Sequence, residues 1–213
     1  MLSICKGDGD LPTERQHAHD ARDRIARACW RLVADQGIAA ISLRQIAAEM
    51  TVTTGFLTRY FDAKQPLLIH ALAHAADTLA ARAEAVVGDS DPQHIHAMMQ
   101  ALLPDDEESR LAWHFWLAMG GMQAAHTDFR AAHQHFPDRL RRVLVAVLRQ
   151  AQQAGQLPAQ CYPAWEADLL LAGVSGLCAQ MIATPERFGD AKCQALLTML
   201  VLRIGTQGSP PGE

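Results

Sequence analysis

The apolar residues of this chain recur with the period of an α-helix. From Asp20 onward, five of them follow the spacing i, i+3, i+4, i+7 and i+8, which places them on one stripe of a helix. They are Ile25, Ala28, Cys29, Leu32 and Val33. The sequence has no segment with the alternation of a half-buried strand. The pattern therefore predicts an all-α fold, and an apolar share of 49% is enough to bury a large core.

Breaks in this period divide the chain into nine predicted helices. Hydroxyl residues suit helix N-caps and glycine suits helix ends, so Ser42, Thr53 and Gly37 mark three boundaries. Asp62 with Gln65 resembles a capping box that opens the fourth helix. The helices are predicted from Asp20 to Gly37, after Ser42, at 54–60, at 63–87, from Pro92, from Pro104 with its acidic run, at 127–154 with a kink or split at Pro137, at 164–183 and at 186–204.

Helices two and three have the lengths and the short connection of a helix-turn-helix. In that motif the second short helix enters the major groove of DNA, so it needs one apolar face and one face of small polar residues. Leu57 and Phe61 suit the apolar face. Thr54, Thr58 and Arg59 suit the face toward DNA. The sequence therefore predicts a DNA-binding transcription regulator.

Two motifs in this region identify a family. The stretch G-x-x-x-I-S-L-R-Q-I-A-A-E-M at 37–50 and the stretch T-T-G-F-L-T-R-Y-F-D-A-K at 53–64 resemble the DNA-binding domain of the TetR family. The segment T-G-F-L-T-R-Y-F is similar to the corresponding segment of the BetI-like branch of this family. The segments LAWHFWLAM at 111–119 and AGVSGLCAQM at 172–181 resemble the same branch. The resemblance implies a nine-helix TetR-type fold that works as a dimeric repressor responding to a small molecule.

The resemblance also implies residue roles and domain limits. Contacts to DNA fall on Arg44, Thr53, Thr54, Gly55, Thr58, Arg59, Tyr60 and Lys64. The expected regions are a flexible arm at 1–17, a helix-turn-helix domain at 18–64, a ligand-binding and dimerisation domain at 65–204 and a flexible tail at 205–213. Residues 1–64 carry a net charge of +1 and the remainder −5, which weakly favours contact with DNA at the N-terminal end.

Two residues depart from the family pattern. Thr51 stands where glycine is usual, and a left-handed backbone there would cost a β-branched residue roughly 1 kcal/mol. The turn therefore either differs slightly or gives up some stability. Thr58 stands where most members have tyrosine, so one phosphate contact is expected to be shorter or absent.

The second domain is expected to hold an effector pocket and a twofold dimer interface. Small and apolar residues of the last two helices are predicted to form the interface, namely Leu169, Gly173, Gly176, Leu177, Leu196 and Leu200. Helix six supplies the pocket candidates Trp113, Trp116, Met119 and Gln123. Trp113, Trp116 and Trp165 could form an aromatic cage for a choline-like cation. Ordinary core packing of these tryptophans is the alternative.

The sequence predicts no metal site and no cofactor. His70 and His74 share one helix face, but no matched carboxylate or cysteine completes a ligand set. The H-x-H pairs at 17/19, 94/96 and 133/135 point apart on a helix. Five cysteines without a CxxC pair are expected to be small apolar fillers in a reducing compartment.

Other function classes find little support. No phosphate loop, nucleophile elbow or reasoned catalytic set is present, so we predict that the chain is not an enzyme and has no catalytic residue. A helical interaction protein that does not bind DNA is the alternative left open. Because the longest apolar runs fall short of the roughly 20 residues of a membrane span and no signal segment stands out, the expected location is the cytoplasm.

Overall fold

The computed structural model describes residues 14–86, 92–124 and 127–204 of the chain. These residues form nine α-helices and two short 3-10 turns, and they contain no strand, so the all-α prediction is confirmed. The helices are α1 Glu14–Gln36, α2 Leu43–Glu49, α3 Thr54–Thr58, α4 Lys64–Glu84, α5 Pro92–Gln100, α6 Glu107–Met119, α7 Thr127–Gln153, α8 Pro163–Ala183 and α9 Asp190–Leu202.

Helix α4 lies at the centre and packs against α1, α5, α6 and α7. Its inward face is built mostly of alanine and leucine, and small alanine side chains let neighbouring helices approach closely. The buried Trp30 of α1 fits against this face, where its Nε1 donates a hydrogen bond of 2.9 Å to the carbonyl of Ala71. Helix α4 therefore joins the N-terminal helices to the rest of the fold.

Three of the predicted helix boundaries are confirmed. Ser42 caps α2 by accepting a hydrogen bond from the amide of Gln45, and Thr53 caps α3 by accepting from the amide of Phe56. Gly37 ends α1 with a φ of 76°, a conformation that glycine adopts without a steric cost. Each boundary follows from local backbone chemistry, which sequence patterns report directly.

Helix starts without a local signal were predicted wrongly. Helix α1 begins at Glu14, not Asp20, because its first turns are exposed and need no apolar period. Part of the predicted arm is therefore helical, and residues 1–13 lie outside the described residues, as does the predicted tail. Helix α9 begins at Asp190 after a turn at 185–188, four residues later than predicted.

The predicted capping box at Asp62 is also wrong. The N-cap of α4 is Ala63, which has no side chain to accept a hydrogen bond, and Asp62 lies one residue too early. Helix α7 runs through Pro137 as one helix, so of the predicted kink or split the split does not occur. A capping box does open α6, where Asp106 and Ser109 exchange hydrogen bonds.

The turn between α2 and α3 contains the only described non-glycine residue with a positive φ, Thr51 at 56°. The amide of Val52 donates to the carbonyl of Ala47 at 2.9 Å, and the amide of Thr51 donates to the carbonyl of Ala48 at 3.0 Å. These two bonds form a Schellman motif, in which the residue at Thr51 must be left-handed. The turn thus keeps its geometry at a cost in stability.

Replacing Thr51 with glycine is expected to stabilise the protein by about 1 kcal/mol, because glycine tolerates the left-handed conformation. For a chain of this length that is a rise of about 2–4 °C in melting temperature. The measurement is thermal unfolding at matched protein concentration.

Gly155 is the matched control, since it ends α7 in the same motif with a φ of 74°. Gly155→Ala should lower the melting temperature by a similar amount. A melting temperature of the Thr51→Gly variant at or below that of the native protein would show that Thr51 is not strained.

Candidate functional site

Helix α3 presents one apolar face inward and one polar face outward. Leu57 is fully buried and Phe61, which follows the helix, is also buried. Thr54, Thr58 and Arg59 are all exposed. The hydroxyl of Thr58 donates to the carbonyl of Gly55 at 3.2 Å, so it lies close against its own helix. The outward side thus offers short polar groups on a narrow helix, as a DNA groove requires.

Gly55 lies exposed on the same outward side. A Cβ placed there would meet only the Oγ1 of Thr53, at an ordinary contact distance of 3.7 Å. Its φ is not positive, because the glycines with positive φ among the described residues are Gly37 and Gly155. Neither packing nor backbone conformation within the protein therefore requires glycine at this position.

Tyr60 is held in place by the neighbouring helices. Its ring contacts the ring of Phe56 with centroids 5.2 Å apart, and its carbonyl accepts a hydrogen bond of 3.0 Å from the guanidinium of Arg22. The same guanidinium lies 5.1 Å from the ring centroid of Phe61. Arg22 thereby fixes α1 to the segment that connects α3 with α4.

The basic candidates surround α3. Arg44 on α2 and Arg59 after α3 are exposed and make no ion pair within the described part of the chain. Lys64 is the first residue of α4 and is partly buried. Because Ala63 provides no side-chain cap, the first amides of α4 have no side-chain acceptor there, and such amides suit an anion.

The structure thus brings all eight predicted DNA-contact residues into one region at α2, α3 and the start of α4. Arg44 lies on α2, and Lys64 is the first residue of α4. The others belong to α3: Thr53 is its N-cap, Thr54, Gly55 and Thr58 lie within it, and Arg59 and Tyr60 follow its end. Arg22 was missed by the sequence reasoning because its carbonyl partner lies 38 residues away, beyond any local pattern.

The pocket candidates of α6 lie in the core. Trp113, Trp116 and Met119 are buried, and Trp113 donates through Nε1 to the carbonyl of Leu102. Trp116 stacks on the ring of His133 with centroids 4.0 Å apart, while its own Nε1 is buried and has no hydrogen-bond partner among the described residues. Burial lowers the pKa of His133. The side chain of Gln123 lies outside the described residues.

The three-tryptophan cage is wrong. Trp165 is 55% exposed on α8 beside Tyr162, whereas the other two tryptophans are buried on α6. Trp113 and Trp116 instead pack edge to face with each other and with Phe136 of α7. The aromatic cluster of the core is therefore Trp113, Trp116, His133 and Phe136.

Helices α8 and α9 expose an apolar surface. Leu169 and Gly176 are exposed, whereas Gly173, Leu177, Leu196 and Leu200 are partly buried. A Cβ on Gly173 would lie 2.3 Å from a methyl group of Leu200, so this glycine is needed for α8–α9 packing within one protomer. The sequence reasoning did not assign Trp165, Met199 and Leu202 to this surface, although Leu202 is 72% exposed. Their helical spacing from Leu169 and Leu196 would have indicated them.

The length and composition of α8 also allow a membrane span, contrary to the sequence expectation. Its most apolar window has a mean hydropathy of 1.3, and 28% of that window is buried within the protomer. A single helix of this kind is weak evidence for a membrane, because a helix that packs against a protein partner has the same composition.

The cysteines and the potential metal ligands show no sign of a reactive or metal-binding site within the described residues. The four described cysteines are free and buried, and burial raises the pKa of Cys29 to about 12, so it stays a neutral thiol, as a filler should. Within the described residues, no group of three or more His, Cys, Asp or Glu is arranged to hold a metal ion.

Comparison with protein families assigns both halves of the chain. Residues 25–71 match the model of bacterial regulatory proteins of the tetR family. Residues 92–205, more than half of the chain, match the model of the C-terminal region of BetI-type transcriptional repressors. The first match spans the second half of α1, then α2, α3 and the start of α4, and the second spans α5 to α9.

Individual relatives agree with these matches. The HTH-type transcriptional regulator PksA of Bacillus subtilis is 27% identical over 197 residues, which are 91% of this chain and 94% of that protein. A transcriptional regulator from Rhodococcus sp. Rha1 has a TM-score of 0.77 and 25% identity, over 90% of this chain and 99% of that one. A regulator from Saccharomonospora viridis in complex with choline has a TM-score of 0.75 and 21% identity, over 91% of this chain and 100% of that one.

These families and relatives are transcriptional regulators and not enzymes, and their helix-turn-helix is the motif formed here by α2 and α3. The chain is a DNA-binding transcriptional regulator that belongs to the TetR family, in its BetI-type branch.

Proposed function

We propose that this protein is a cytoplasmic repressor that binds a pseudo-palindromic operator as a homodimer and responds to a small-molecule effector. The observation that carries the proposal is the outward side of α3, where exposed polar residues stand on a helix whose Leu57 is fully buried. Two copies of α3 about 34–36 Å apart would reach successive major grooves on one side of DNA.

The residues around α3 divide into two kinds of contact. Thr54, Thr58 and Arg59 are proposed to contact base edges, with Gly55 admitting the backbone close to the groove. Phosphate contacts are proposed for Arg44, Thr53, Tyr60 and Lys64, because these residues lie around α3 at the margin of its outward side. The amides at the start of α4 would add to the Lys64 contact.

Replacing Gly55 with alanine is expected to lower operator affinity by about tenfold, which is the order of one lost base contact. The melting temperature should be unchanged or higher, because the added methyl meets ordinary space and alanine favours a helix. The measurement is fluorescence anisotropy with DNA from upstream of the protein's own gene.

Gly121→Ala is the control, since Gly121 is also exposed and open but lies after α6. Lys64→Ala should weaken binding to all sequences and reduce the salt slope by about one. Unchanged operator affinity of the Gly55→Ala variant would contradict close backbone approach at α3.

The apolar surface on α8 and α9 is proposed to form the dimer interface. Leu169, Met199 and Leu202 are exposed on it, and large exposed apolar patches mark interaction sites. Gly176 is exposed with no atom within 4 Å of an added Cβ, so it leaves room for a partner helix. A twofold axis through this surface would bury the same residues on both protomers.

Replacing Gly176 with arginine is expected to separate the dimer, because a charge would be buried at the interface while the protomer fold has space for it. Analytical ultracentrifugation should give half the native mass. The same substitution at Gly121 should leave the mass unchanged. A Gly176→Arg variant of native mass would place the dimer interface elsewhere.

The effector is proposed to bind between α4, α6 and α7, beside Trp116. Its Nε1 is a buried donor without a described partner, and such a group gains a hydrogen bond from a ligand acceptor. A groove of about 180 Å³ lined by Lys64, Gln65, Leu68, Met122 and Phe129 lies between α4 and α7. The choline complex of the related regulator favours a small organic cation with an acceptor group as the first effector to test.

Replacing Trp113 with phenylalanine is expected to cost about 1–3 kcal/mol, because the carbonyl of Leu102 loses its N–H donor and keeps only the weak S–H donor of Cys178. Trp116→Phe should cost less, because the lost N–H had no described partner. Denaturant unfolding compares the two variants, and melting shifts with choline compare their ligand response. A choline shift that survives in Trp116→Phe but not in Trp113→Phe would contradict the proposed pocket.

A further inference from the structure

Four titratable side chains meet where α1 packs on α4. His19 and Asp23 lie four residues apart on α1, and His70 and His74 lie four apart on α4. We name these four residues the junction cluster. It lies beside the Trp30–Ala71 hydrogen bond, and the ring of His74 stacks on the ring of Trp30 with centroids 5.0 Å apart. The junction cluster thus occupies the contact that connects the DNA-binding helices to α4.

The junction cluster is not closed by hydrogen bonds. The Oδ1 of Asp23 lies 3.6 Å from Nε2 of His70 and 3.5 Å from Nδ1 of His74, and its Oδ2 lies 3.5 Å from Nε2 of His19. These separations exceed the usual 2.7–3.2 Å of a hydrogen bond. The Asp23 Oδ1 and the His70 Nε2 are buried and make only these longer ion-pair contacts, with no hydrogen-bond partner among the described residues. The carboxylate is therefore surrounded by imidazoles that do not lock it in place.

Burial opposes a charge on either α4 histidine. Burial lowers the pKa of His70 and of His74, and Asp23 offsets only part of this effect. Arg22 and His19 oppose protonation of His70 further, and Arg27 and His70 oppose that of His74. Since the two α4 rings are parallel with centroids 6.3 Å apart, a proton on one disfavours a proton on the other.

The other helices packed on α4 contribute few charges here. Glu108 of α6 favours a charged His74, but it forms a 2.8 Å ion pair with Arg27. Asp128 of α7 lines, with Arg22 and His70, an open groove of about 780 Å³ at the edge of the junction cluster. This groove gives solvent a route to His70.

We propose that the junction cluster is a proton-sensitive contact, through which acidification loosens α1 from α4 and weakens operator binding. The proposal adds a regulatory input to the proposed repressor and rests on its binding of an operator. When the junction opens, His70 and His74 reach water, where protonation is no longer opposed. Acid therefore favours the open junction.

The sign follows from linkage. A histidine whose pKa is lower in the folded protein contributes its full stability above the unfolded value, about 6.5, and loses it as the pH falls below that value. The junction is thus tight at neutral and alkaline pH. Release of α1 from α4 would change the spacing of the two α3 helices in the dimer, on which operator affinity depends.

The test compares melting temperature and operator affinity from about pH 8 to about pH 5.5, a range that spans the unfolded histidine value. Three proteins are compared: the native chain, the double variant His70→Gln with His74→Gln, and the control His135→Gln, an exposed histidine of α7. At the alkaline end all three should bind the operator alike, since none of these residues lies on the α3 face.

On acidification, the melting temperature of the native and His135→Gln proteins should fall further than that of the double variant. Their operator affinity should fall by about five- to tenfold more, which is the low end of typical coupling between two sites. Asp23→Asn should make the fall in melting temperature steeper, because it removes the group that favours the protonated rings. A merely structural junction would show no such opposite effects of the two changes.

Identical pH profiles for the native protein and the double variant would overturn the proposal. A melting temperature that rises on adding zinc at about pH 8 in the native protein alone would also overturn it, since the junction cluster would then be a cation site. If none of the proteins bound the operator DNA at any pH, the proposed operator binding would be refuted instead. The melting profiles would still decide whether the junction senses protons.

Discussion

The packing of α1 against α4 is the contact on which the rest of this molecule depends. Trp30 is buried in it and hydrogen bonds to the α4 backbone, and the alanine-rich face of α4 allows the close approach. The same helix α4 contacts α6 and α7, which carry the aromatic cluster of the C-terminal half. Helix α4 thus contacts both the aromatic cluster and helix α1, which packs on α2 of the helix-turn-helix.

Some features of the helix-turn-helix are not explained by the stability of the protein. Thr51 occupies a left-handed turn position that glycine fills at no cost, and Gly55 occupies a helical position that alanine would fill better. The first lies in the hydrogen-bonded turn that connects α2 with α3. The second leaves the backbone on the outward side of α3 uncovered by a side chain. A protein that gives up stability locally at a surface is typically shaped by what binds there.

Some buried polar groups are also not explained by the stability of the protein. Trp113 and Trp30 have backbone acceptors, whereas Trp116, His70 and Asp23 have buried polar atoms without a described partner. Unsatisfied buried groups are costly, so they are rare where only stability matters. Among the described residues these atoms belong to Trp116 of the aromatic cluster, to three residues of the α1–α4 contact and to His114 of α6. The first two places are those from which an effector or a proton is proposed to act on α3.

The sequence by itself determined the helical class, most helix boundaries and the helix-turn-helix, because each depends on neighbours within about four residues. It left open whether the turn at Thr51 differs or keeps a left-handed backbone, which the φ of 56° decides. It did not determine the exposed start of α1, the uncapped start of α4 or the position of Trp165, since these lack a local signal. Only the tertiary structure brought Asp23 to His70 and His74, about fifty residues away along the chain. Contacts of that kind arise from the packing of separate helices, which no spacing within one helix reports.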